Sequence, residues 1–126
     1  MIRYVDTNIL VRLMTNDIPD LAQNAINQIN KSRPGELIII DAVLAELFFI
    51  LEENKQYQLP REKIAVIFEG ILSIPQFKLS DTAKAAYSLF VNNKKLDFTD
   101  CIIAVSGNNK LNNVMTFDKD LLKLLS

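Results

Sequence analysis

Four carboxylates stand where local structure gives each little reason to be: Asp6, Glu46, Asp100 and Asp118. Asp6 closes the run Ile2-Arg3-Tyr4-Val5. Glu46 is the only residue from Ala42 to Leu51 that is not apolar. Asp100 opens Cys101-Ile102-Ile103-Ala104-Val105, and Asp118 follows Val114-Met115-Thr116-Phe117. Two of the four terminate segments that read as buried strands, and open α/β sheets carry their chemistry at strand ends. If the fold gathers them, four like charges cannot all stay ionised without a compensating cation. The pattern therefore predicts a hard divalent metal and metal-assisted chemistry on phosphate.

What is missing sharpens this. The chain has no histidine and one cysteine. That excludes Ser-His-Asp and Cys-His catalysis, imidazole acid–base work and the usual zinc sites. A metal site must then be built from oxygen, which suits magnesium or manganese. Cys101, beside Ile102 and Ile103, reads as packing. No glycine-rich phosphate loop exists, the three glycines being Gly35, Gly70 and Gly107.

Each acid also has a plainer explanation. Asp6-Thr7-Asn8 would cap a helix, although one capping residue suffices; Asn8 and Thr7 are suited to orient Asp6 or a water. Arg12, one turn on, reads equally as a phosphate contact or a solvated side chain. Glu46 would be costly if buried unpaired, unless it lies on a narrow exposed stripe continued by Glu53 and Gln56. Asp97 fits an N-cap with Asp100 at i+3, and both would offset the helix dipole; of the pair, Asp100 is the one assigned to chemistry. Thr116 can steady Asp118 through its hydroxyl, and Asp118 or Asp120, but not both, is explained by capping. Lys94, Lys95, Lys119 and Lys123 read as solvated faces, with steering of RNA as the other reading.

The elements that must position these groups follow from periodicity. Strands are expected at residues 2–5, 37–40, about 77–79 and 113–117. Helix faces run through Ala22, Ala25, Ile26 and Ile29; through Ile64, Ile67, Phe68, Ile71 and Leu72; and through Ala83, Ala86, Tyr87 and Phe90. Alternating strands and helices predict a three-layer α/β/α fold. Its central parallel sheet would have four to five strands, with a helical hairpin from residues 42–73 beside it. At 126 residues the chain is expected to form one domain, 1–126. An apolar share of 49% is enough for a core and for part of a subunit contact. No run has the length of a membrane span and no signal-peptide pattern opens the chain, so a soluble cytoplasmic protein is expected. A net charge of −1 argues against broad duplex binding. Without the four acids the remainder is net positive, so a nucleic-acid substrate stays open.

Taken together, Val5-Asp6-Thr7-Asn8-Ile9-Leu10-Val11-Arg12, the acid at Glu46, Leu96-Asp97-Phe98-Thr99-Asp100-Cys101-Ile102-Ile103-Ala104 and Thr116-Phe117-Asp118-Lys119-Asp120 resemble the PIN domain. Within it they are most similar to VapC-type toxins of bacterial toxin–antitoxin pairs. The likeness spans nearly the whole chain; no single motif is specific, while the four in order are. It implies a magnesium- or manganese-dependent endoribonuclease whose acids are Asp6, Glu46, Asp100 and Asp118, with Asn8 and Thr116 in support and Asp97 as an additional acid. Cys101 and Ser106-Gly107 depart from the small and alanine-rich residues common there. Arg12 and Lys119 would be weak RNA contacts. The resemblance further implies a small cognate antitoxin and a homodimer, with tRNA or another structured RNA as the target. Hydrolysis by metal-activated water, at a flexible single-stranded loop, is the expected reaction. Two rivals stand beside it. One is a catalytically silent PIN-like interaction module; the other is phosphotransfer through an aspartyl phosphate at Asp6, for which Asn8 replaces the usual second acid.

Overall fold

Three short parallel strands organise the first part of the chain: β1 (Arg3–Tyr4), β2 (Leu37–Ile38) and β3 (Phe77–Lys78), in the order β1-β2-β3. Arg3 stands opposite Leu37, and Leu37 opposite Phe77. Ladder bonds run from Val5 N–H to Ile38 O (2.9 Å) and from Ile39 N–H to Lys78 O (3.0 Å). The computed structural model describes residues 1–126 and divides into two compact units, Met1–Leu79 and Ser80–Ser126. Seven helices accompany the sheet, and none is long and apolar enough to cross a membrane.

In the first unit, α1 (Thr7–Thr15) packs on α2 (Pro19–Asn30) and on α3 (Asp41–Glu53). Pro19 suits the first turn of α2, where its missing N–H costs nothing; the buried face is Ala22, Ala25 and Ile29, while Ile26 is exposed. α3 and α4 (Arg61–Leu72) form the expected hairpin, with Leu44, Leu47, Phe48 and Leu51 on one side and Ile64, Phe68 and Ile71 on the other. The Phe48 and Phe68 rings meet at 5.3 Å. Buried Arg61 donates to Glu52 at 2.6 Å across the same hairpin. Asp17, at the exit of α1, accepts from the Tyr57 hydroxyl (2.7 Å), Thr15 Oγ1 (2.8 Å) and the Arg12 guanidinium (3.0 Å). That ties the end of α1 to the α3–α4 loop.

In the second unit, α5 (Asp81–Asn92) packs along α6 (Phe98–Ser106), with Phe90 edge-on to Phe98 at 5.4 Å. Ser80 Oγ caps α5 by accepting from Ala83 N–H. α7 (Lys119–Leu125) rests on α6 and buries Leu121 and Leu125. Cys101 is fully buried and in no disulfide, in keeping with packing.

Three expectations are corrected here. The sheet has three strands, not four to five. Residues 113–117 take up extended backbone at Val114 (φ −126°, ψ 127°) yet enter no ladder. Their alternation is strand-like, but Met115 and Phe117 are 100% and 99% exposed. A period of two marks residues that suit a strand without supplying the neighbour whose N–H and C=O groups complete it. The segment 2–5 is not buried either: Ile2 is 62% and Tyr4 72% exposed. β1 is an edge of the sheet, so one flank of each side chain has no strand beside it.

Candidate functional site

Asp6 and Glu46 are brought together in the first unit by Thr7. Asp6 is the N-cap of α1 and accepts from Thr7 N–H at 2.8 Å. Thr7, 4% exposed, turns its hydroxyl toward α3 and donates to Glu46 Oε2 at 3.2 Å. Two acids 40 positions apart thus each accept from Thr7, one from its amide and one from its hydroxyl. Glu46 is exposed rather than buried, because α3 turns Ala42, Glu46, Phe49 and Glu53 outward along one line. This is the exposed-stripe arrangement, and the desolvation argument for Glu46 falls with it. Its tie to Thr7 is what keeps it of interest.

In the second unit, α6 opens with a capping box. Asp97 accepts from Asp100 N–H (2.8 Å), and Asp100 accepts from Asp97 N–H (3.2 Å). Asp100 is the perturbed acid: partial burial, then the neighbouring charges of Asp97 and Asp118, push its carboxyl up to about 6. The Asp97 amide that donates to it acts the other way. Asp118 is the N-cap of α7, accepting from Leu121 N–H at 2.8 Å. Its own N–H donates to Thr116 Oγ1 at 3.0 Å, so Thr116 steadies the residue through its backbone. Capping thus accounts for Asp118; Asp120 lies in the first turn behind it.

The remaining assignments divide. Asn8 is exposed and makes no side-chain hydrogen bond. Arg12 is engaged with Asp17 at 3.0 Å, which competes with any phosphate contact. Lys119 is exposed directly after Asp118. Thr7 carries more than its place in Asp6-Thr7-Asn8 suggested, since its partner is 39 positions away and no local pattern points to it.

Within neither unit do three or more acids converge closely enough to hold a metal ion. The donor chemistry nevertheless fits a hard cation. Every donor is a carboxylate oxygen, and the raised Asp100 is an acid whose ionisation a nearby positive charge would restore. The family model of the PIN domain matches residues 3–124. Comparison with curated proteins and with solved structures gives no match.

Proposed function

Since this chain belongs to the PIN domain family, whose members are typically nucleases, we propose that it is a metal-dependent endoribonuclease that hydrolyses RNA phosphodiesters. The observation that carries the reading is the charge crowding at the start of α6, where Asp97 and Asp118 help raise Asp100 to about 6. A purely structural cap gains nothing from such crowding. Magnesium or manganese would be held by Asp6 and Glu46 in the first unit and by Asp100 and Asp118 in the second. Such an ion supplies Lewis acidity to phosphate oxygens and brings the pKa of water toward neutrality. The chain's own part is to orient: Thr7 fixes Glu46, Asp97 fixes Asp100, and Thr116 fixes Asp118.

The motifs around Asp6 and Asp97 support a finer reading, the toxin of a VapBC-type pair acting in the cytoplasm on a structured RNA. A homodimer, blocked by a small antitoxin, completes it. The rival, a silent interaction module, draws on the bare Met115 and Phe117. One experiment separates them: purified protein is incubated with a mixed small-RNA pool, with magnesium or manganese, with EDTA, and as Asp6→Asn. Discrete cleavage needing both metal and Asp6 is expected. Absence of cleavage together with absence of metal binding by calorimetry would sink the nuclease.

A further inference from the structure

The lysines that the nuclease reading leaves aside are gathered, not scattered. Lys94 and Lys95, on the α5–α6 connection, and Lys123, on α7, line one cleft of about 590 Å³. Leu96 and Leu124 supply apolar lining, Leu96 only 2% exposed, and Asp120 adds one acid. All three lysines are exposed, and neither Lys95 nor Lys123 enters an ion pair. The ammonium groups of Lys95 and Lys123 share the concavity with a single carboxylate, Asp120, which offsets one charge of the two. An anion would offset the other. The chain as a whole is slightly acidic, so this is a local feature and not one edge of a basic face.

We propose that this cleft binds the phosphodiester backbone of single-stranded RNA, its lysines pairing with phosphates while Leu96 and Leu124 lie against ribose or base. The proposal rests on the nuclease reading, to which it adds the path of the substrate. Both walls of the cleft lead to the acids of the same unit: Leu96 is followed by Asp97, and Asp120 lies two residues after Asp118. A strand seated here is delivered to the start of α6. The volume is that of a site for a few groups, suited to a short stretch of a flexible single strand.

The test is fluorescence anisotropy of a short, labelled, random-sequence RNA, with EDTA present and potassium chloride varied. For wild type, log K falls linearly with log salt. In Lys95→Ala/Lys123→Ala the slope is expected to become shallower by about 1.4, two contacts at about 0.7 each. Lys31→Ala/Lys63→Ala, with the same charge change elsewhere, keeps the wild-type slope, and Lys95→Arg/Lys123→Arg restores it. The proposal is overturned if the slope is unchanged in the Lys95/Lys123 alanine variant, if the Lys31/Lys63 control falls equally, or if wild type does not bind RNA. It is overturned as well if labelled oligoglutamate binds in a Lys95- and Lys123-dependent way while RNA does not, which would make the cleft a dock for an acidic protein segment. Metal-dependent cleavage with an unaltered slope removes the cleft alone. A slope change without cleavage supports the cleft and removes the nuclease.

Discussion

Thr7 connects two acids that are distant in sequence, and Thr7→Val isolates that connection. Valine keeps the volume at a buried position and deletes the hydroxyl that reaches Glu46. Manganese affinity by calorimetry should fall about 10–100-fold, as when a residue orienting a metal ligand is lost. Thr7→Ser should retain it; equal affinity in all three proteins would show that Thr7 merely packs. Asp100 gives a prediction in pH. Its folded pKa, about 6, lies above the ordinary 3.8, so the folded protein binds the extra proton between those values. Stability therefore decreases as pH rises through that window. Asp100→Asn, which cannot ionise, should melt higher than wild type above pH 6 and coincide with it below about pH 4. An offset that did not change with pH would mean that the variant acts through the cap. The Asp97–Asp100 reciprocity was legible in the sequence because capping works at a fixed spacing of three. Thr7 with Glu46 was not, because nothing local links residues 7 and 46.

Among the elements, the end of α6 shows how a correct boundary can have a different cause. Glycine at a helix end usually serves through a left-handed φ, but that of Gly107 is −86°. The left-handed turn is made by Asn108 and Asn109, at φ 56° and 57°. Glycine is needed for room: a Cβ there would meet Val114 Cγ2 at 2.7 Å. Gly107→Ala should cost about 1–3 kcal/mol in chemical denaturation, the usual range for overpacking. Adding Val114→Ala should recover part of it, and no recovery would place the strain elsewhere. Most helices were legible because an apolar face repeats with the helical period whatever it packs against. α3 was harder to read, since apolar residues nearly encircle it and hide which line faces water. The segment 113–117 shows the matching limit for strands, whose pattern is local and whose hydrogen-bond partner is not.

For the molecule as a whole, the family match runs through both units, from residue 3 to 124, and the acids divide between them. Bound metal should stabilise the native protein by mass action, about 2.7 kcal/mol at a hundredfold excess over Kd. Melting with magnesium or manganese should show a rise that EDTA reverses. Asp6→Asn and Asp118→Asn should each shrink it. A rise that survives both substitutions would mean that the ion binds elsewhere. Composition points to this chemistry only by exclusion: with no histidine, oxygen donors are what the chain can offer.

The tie between Asp17 and Tyr57 has a bearing on how such pH data divide. The hydrogen bond from Tyr57, foremost, holds the Asp17 carboxyl down at about 2, and the same bond raises the phenol above its ordinary 10.0. The carboxylate contribution is complete above pH 3.8 and is lost only as pH falls toward 2. The phenol contribution is complete below pH 10.0 and is lost only as pH climbs past the raised value. One shared proton thus keeps this corner closed from mild acid to strong alkali. A transition seen near neutrality is therefore not the loosening of this joint, and an alkaline absorbance titration should find the Tyr57 phenol ionising above its ordinary 10.0.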